Sequence, residues 1–178
     1  MQAPVAGAAT ARLAGEVSRA GGLGSLGASW TEVGNLREQI RSIGRITDRP
    51  FCVNLVLDFE QDERLEVAVE ERAPIASFSF GLRPQLVARA RAGGARVLVQ
   101  VGSGDAARAA ADAGADALIV QGVEAGGQTV VAVRGTVSIC SSDSVLSPSG
   151  HENAHNARRQ RSVRAPGDGR TRPIARRR

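Results

Sequence analysis

Residues 114–128 read GADALIVQGVEAGGQ. Ala117 to Val120 is a short unbroken apolar run, with Gly114 before it and Gly122 after it. A run that short, without polar alternation, reads as a strand buried on both faces, as in a parallel sheet. The loop that follows, residues 122–127, ends at Gln128, and its paired Gly126 and Gly127 let backbone approach a ligand closely and take positive φ. At the C-terminal end of a parallel strand, such a loop is where α/β proteins place their sites. Taken alone the stretch reads equally well as a plain turn, and the residues around it decide.

Upstream, the same pattern recurs. Short apolar runs begin near Gln2, Leu23, Phe51, Ile75, Arg96 and Ala117, at intervals of 21 to 28 residues. That interval holds one strand, one helix and two short loops, the βα unit of a parallel sheet. The predicted strands are LGSLGA (23–28), FCVNLVL (51–57), IASFSF (75–80), RVLVQV (96–101) and ALIVQG (117–122). Between them lie amphipathic stretches. Thr10 is the expected cap of the first, with Leu13 and Val17 on its apolar face and Gly21-Gly22 ending it. Thr31 is the expected cap of the second, in which Val33, Leu36, Ile40 and Ile43 recur at helical spacing. Asp62 leads the third, with Leu65 and Val69 four apart, Pro84 starts the fourth, and Asp105 leads the fifth. Near-continuous apolar strands alternating with amphipathic helices indicate an α/β sheet covered by helices on its outer face.

Downstream the pattern stops. Residues 129–140 (TVVAVRGTVSIC) are β-prone and read either as one more strand or as a misfit. Residues 141–178 hold four Leu, Ile, Val or Phe, below what a packed core requires, and read as a disordered tail. The domain reading is therefore 1–140 folded and 141–178 tail. The formal net charge of +5 divides the same way: the tail carries +6 and residues 1–140 carry −1. All 23 basic residues are Arg, which points to GC-rich coding and to a tail read out of frame. Cys52 and Cys140 stand far apart, forming neither a disulfide framework nor a metal pair, and fit a reducing cytoplasm. No apolar stretch is long enough for a membrane-spanning helix, and the N-terminus lacks a basic start followed by an apolar block.

Two literal motifs fail on context. Residues 22–27 (GLGSLG) match the dinucleotide fingerprint, which needs a strand before it and a helix starting inside it; here a helix precedes and a strand coincides. Residues 151–155 (HENAH) match a zinc-protease motif, but they sit in the tail without apolar flanks or a third His, so no metal is expected. The tail's arginines lack aromatic residues to stack on bases, so only sequence-blind nucleic-acid contact is expected. A more informative signal is Asn54 inside FCVNLVL. A buried amide must find hydrogen bonds, from the core or from a ligand. Gln100 and Gln121 repeat it near the ends of two other strands. Together with Gly126-Gly127 they are expected to ring a planar polar ligand.

The ordered blocks QAPVAG (2–7), SRAGGLGSLGA (18–28), DRPFCVNL (48–55), SFSFG (77–81), AGADA (113–117) and QGVEAGG (121–127) resemble the nitronate monooxygenases, formerly 2-nitropropane dioxygenases. The resemblance implies a TIM-type (β/α) barrel that binds FMN and oxidises alkyl nitronates with molecular oxygen. It implies that Ala3, Pro4, Val5, Asn54, Gln100, Gln121, Gly126 and Gly127 approach FMN. It also implies departures. Gln128 stands where the family has its His base, and Ser79 where a second His is frequent. The likeness fades after Gly127, so the expectation is an incomplete barrel of about six βα units, truncated, with weak FMN binding. The alternatives are a non-enzymatic remnant with an electrostatic tail and a flavin-dependent enoyl-thioester reductase on the same fold.

Overall fold

The computed structural model describes residues 1–122, 125 and 138–141. Helix α1 (Ala11–Arg19) leads into β1 (Gly24–Gly27). Then α2 (Val33–Ile46), β2 (Phe51–Val56), α3 (Asp62–Glu70), β3 (Ile75–Ser79), α4 (Pro84–Ala92), β4 (Arg96–Val101), α5 (Gly104–Asp112) and β5 (Ala117–Val120) alternate, followed by β6 (Ser138–Ser141). Strands β1 to β5 pair in parallel and in sequence order, and β6 pairs antiparallel with β5. A parallel sheet that never reverses its strand order, with a helix between each two successive parallel strands, is the wall of a TIM-type barrel; a doubly wound sheet reverses. The fold is an incomplete barrel of this type.

The first apolar run forms an edge segment and not a strand. Gln2 N donates to Leu23 O at 2.9 Å, and the Gln2 side chain clamps Ser25, accepting from its N at 3.2 Å and donating to its O at 3.0 Å. Pro4 has no N–H to continue a ladder, and Val5 N turns back to Ala3 O, so pairing stops after one residue. Within residues 129–140, Ser138–Cys140 lie in β6; residues 129–137 are outside the described residues, as is the tail beyond Ser141.

The core lies between the sheet and its helices. Leu26, Val53, Leu55, Phe78, Val99 and Leu118 point from the strands into it, all at most 1% exposed. Leu36, Ile40, Ile43, Leu65 and Val87 close it from the helices. Helix α1 differs from expectation. Leu13 is 43% exposed, and the buried face is Ala14, Gly15 and Ser18. A Cβ on Gly24 would lie 1.8 Å from Ala14 O, and one on Gly15 would lie 2.9 Å from the Ile46 side chain. The helix sits too close to β1 and α2 for large residues on that face, which also accounts for Gly22 and Gly24 of GLGSLG. Thr10 caps α1 as its sequence predicts, Oγ1 accepting from Leu13 N at 3.2 Å. At α2 the cap is Glu32, whose carboxylate accepts from Gly34 N and Asn35 N, and at α5 it is Ser103, accepting from Ala106 N. Thr31, the expected cap of α2, is displaced by its neighbour Glu32, while Asp105 lies in the first turn of α5.

On the outside, acids face arginines. Arg37 and Arg41 of α2 hold Glu71, just past the end of α3, at 2.8 Å each. Arg89 of α4 pairs with Asp62 and Glu66 of α3, and Arg91 with Asp116 at 2.9 Å. Eight arginines among the described residues carry carboxylate partners.

Candidate functional site

Side chains alternate across a strand, so the residues between the core positions face the barrel interior. There the chemistry changes. Ser25 of β1, Cys52 and Asn54 of β2, Ser77 and Ser79 of β3 and Gln100 of β4 all project to this inner face. The register aligns them: Ser25 pairs with Cys52, Gly27 with Asn54, Asn54 with Ser77, and Val56 with Ser79.

Asn54 is 5% exposed and fully engaged on one side. Ser77 Oγ donates to its Oδ1 at 2.9 Å, while Ser79 Oγ lies 3.3 Å from Nδ2 and 3.4 Å from Oδ1. One N–H of the amide has no partner among the described residues. Cys52 is fully buried beneath, and burial pushes its thiol up to about 11, opposed by the Ser77 and Ser25 hydroxyls. The buried Ser25 Oγ has no hydrogen-bond partner among the described residues. On the next strands, Gln100 Nε2 donates to Gln121 Oε1 at 2.5 Å, and Gln121 is itself buried, its N bonded to Val101 O at 3.0 Å.

The three amides thus form two groups. Gln100 meets Gln121, and Asn54 meets Ser77 and Ser79. The N-terminal segment closes over the first group of strands: a Cβ on Gly27, the register partner of Asn54, would lie 2.9 Å from Pro4 O. Pro4 therefore lies against β1 beside Asn54, with Ala3 and Val5 exposed next to it. Gly126, Gly127 and Gln128 lie outside the described residues. Ser77 is the residue that sequence reasoning passes over, and Ser79 is singled out there only as a departure from the family pattern. Their signal is present: two hydroxyls at period two inside the apolar strand IASFSF, in register with an apolar strand carrying one Asn.

The C-terminal ends of the strands carry two further features. Phe80, directly after Ser79, holds φ +58, a strained conformation that is rare for a bulky residue. Trp30 follows β1 and Phe59 follows β2. Their rings stack edge to face with centroids 6.0 Å apart, yet they are 60% and 52% exposed. Among the described residues, no group of His, Cys, Asp and Glu is placed to hold a metal ion, and no helix is long and apolar enough to cross a membrane. The arrangement presents amides and hydroxyls able to donate and accept hydrogen bonds; its described part holds no His or carboxylate.

A family model described as nitronate monooxygenase matches residues 1–62 and 59–145. A 5-hydroxy-7a-methyl-1-oxo-octahydro-1H-indene-4-carboxyl-CoA dehydrogenase of Mycobacterium tuberculosis is 39% identical over 122 residues, covering 68% of this chain and 34% of that protein. A nitronate monooxygenase of Pseudomonas aeruginosa is 34% identical, covering 71% of this chain and 48% of that protein. Among solved structures, FabK from Thermotoga maritima superposes with a TM-score of 0.70 at 34% identity, over 76% of this chain and 43% of that one. Nitroalkane oxidase from Streptomyces ansochromogenes gives 0.68 at 32%, over 73% and 48%. The chain spans about a third to a half of the length of these relatives.

Proposed function

The chain belongs to the nitronate monooxygenase family of oxidoreductases, and from that premise we propose that it holds FMN and oxidises alkyl nitronates with molecular oxygen. The observation that carries the reading is the inner face of the sheet, where Asn54, Ser77, Ser79, Gln100 and Gln121 line the C-terminal half with hydrogen-bonding groups. That donor set fits a flavin, whose ring edge offers alternating acceptors and donors. Asn54 has a spare N–H for it, and Gly27 leaves room for the backbone of Ala3, Pro4 and Val5 to lie beside the ring. Gly126 and Gly127 are assigned to close backbone approach. FMN supplies the electron-accepting chemistry when bound, and the chain's residues bind and orient it.

Gln128 stands at the position of the family's His base. A His accepts a proton near neutral pH, whereas a Gln amide has no accessible basic site. Removing a carbon-bound proton from a neutral nitroalkane without that base costs roughly a hundred- to ten-thousand-fold. A preformed nitronate has already lost that proton. With FMN in excess, oxygen consumption is therefore expected with nitronates and not with the parent nitroalkanes, and Gln128→His is expected to raise the nitroalkane rate more. Equal turnover of both forms by the unsubstituted chain contradicts the assignment.

The exposed Trp30–Phe59 pair favours a second reading, flavin-dependent reduction of an enoyl thioester. Its apolar surface at the rim exceeds what a small nitroalkane needs, and one relative carries a bulky alicyclic acyl-CoA in its name. Enoyl-CoA turnover dependent on a reduced nicotinamide, in the absence of nitronate oxidation, selects this reading.

A further inference from the structure

We propose that the cleft between the C-terminal ends of α2 and α3 is a second ligand site, which takes a small organic anion with an apolar body.

The cleft lies at the N-terminal end of the sheet, opposite the end that carries Ser79 and Gln100. Its volume is about 410 Å³. Thr47 and Glu71, the C-caps of α2 and α3, line it together with Phe51, which opens β2, and Pro74, which precedes β3. Ile40 and Phe51 are buried and make it apolar within, while Asp48, Arg49 and Arg72 are exposed and charge its rim.

Arginines elsewhere are mostly matched, either by carboxylates or, for Arg64, by Thr31 O at 2.9 Å. The side chains of Arg49 and Arg72 have no such partner among the described residues. Glu71, next to Arg72 in the chain, is taken up by Arg37 and Arg41 at 2.8 Å each. Asp48 is unpaired as well, so two guanidiniums outnumber one carboxylate and the rim keeps a positive excess. Arg96 adds to it from the start of β4, where its N donates to Pro74 O at 3.0 Å.

The backbone of Arg72 is a separate observation. Helices α1, α3, α4 and α5 end alike: the second residue past the helix takes positive φ and its N–H bonds the carbonyl three residues back, at 2.9 Å in each case. In α1, α4 and α5 that residue is Gly21, Gly94 or Gly114, at φ +91, +87 and +94; in α3 it is Arg72, at φ +54. Glycine takes this conformation freely and an L side chain only at a cost. Strain kept where glycine serves three equivalent turns is a functional signal, and here it sets a guanidinium on the rim of a cleft. Guanidiniums pair with phosphate or carboxylate oxygens, and Ile40, Phe51 and Pro74 offer contact to an apolar body. The inference does not depend on the flavin reading.

An amide-resolved NMR titration of the flavin-free full chain with phenyl phosphate, beside neutral benzyl alcohol, tests this. Phenyl phosphate is expected to give saturable shifts at residues 47–49 and 71–73, and benzyl alcohol none there. Arg72→Gly is expected to weaken phenyl phosphate binding about tenfold, the size of one charge-assisted hydrogen bond, and yet to raise the urea midpoint, because glycine relieves the strained turn. Asp48→Asn is expected to strengthen binding about threefold. Shifts confined to other residues, the arginine-rich tail included, overturn the proposal, as does unchanged affinity in Arg72→Gly. A lowered urea midpoint in that variant also overturns it, since Arg72 would then serve the end of α3 and not a ligand.

Discussion

The two faces of one sheet are built from the same five parallel strands and carry opposite chemistry. Toward the helices stand Leu26, Val53, Leu55, Phe78, Val99 and Leu118, none more than 1% exposed. Toward the interior stand a thiol, three serine hydroxyls and three amides, several of them buried and hydrogen-bonded to one another. A single residue of register separates Phe78 from Ser77 and Ser79. The outer face supplies stability through apolar burial. The inner face gives up such burial for groups that must be satisfied by each other or by a ligand. Substitutions should therefore separate into those that unfold the chain and those that empty its site.

The largest effect is expected on the outer face. Phe78→Ala removes the largest fully buried side chain from the core, and a loss of about 3–5 kcal/mol is expected in urea denaturation. Gly24→Ala comes next. Its new Cβ would meet the Ala14 carbonyl, backbone that cannot yield, and about 3 kcal/mol is expected from the same melts. A loss under half that size would show that α1 can lift from β1.

The inner face contributes a pH dependence. The folded-state pKa of Cys52 is raised from 9.0 to about 11. The neutral thiol is the form the fold favours, so its contribution is whole below pH 9 and is lost as pH rises from 9 to about 11. With neither Lys nor Tyr in the chain, only thiols titrate in that window. Urea melts across pH 8–11 are expected to show a decline of about 2 kcal/mol that Cys52→Ala abolishes. A decline unchanged in that variant would place its source elsewhere. The smallest effect concerns caps: Ser103→Ala is expected to cost about 1 kcal/mol and Asp105→Ala only a few tenths, since only Ser103 bonds a backbone N–H of the first turn.

Legibility follows the same division. Strands β2, β4 and β5 begin at the residue where their apolar runs do, because a run buried by helices on one side and a barrel on the other needs no alternation to be seen. Helix α1 is visible, but its buried face is not. Hydropathy favours Leu13 and Val17, whereas close approach to Gly24 demands Ala14, Gly15 and Ser18, and that demand comes from tertiary distance. The caps at Glu32 and Ser103 lie within two residues of equally eligible side chains, a choice set by backbone geometry. At the site, Asn54, Gln100 and Gln121 stand out because an amide is conspicuous in an apolar run. Ser77 does not, because serine is unremarkable in a strand until register sets it beside Asn54, and Ser79 is marked only by the family resemblance. The division of three amides into two groups is likewise a matter of register.

The most direct test of the inner face as a flavin site is an equilibrium FMN titration of the purified chain beside its Asn54→Ala variant, with folding of both checked by circular dichroism. The account predicts a perturbed flavin spectrum and saturable binding by the unsubstituted chain, weakened about tenfold in the variant at unchanged secondary structure. A folded chain that leaves the FMN spectrum untouched, or equal affinity in the two proteins, would contradict it.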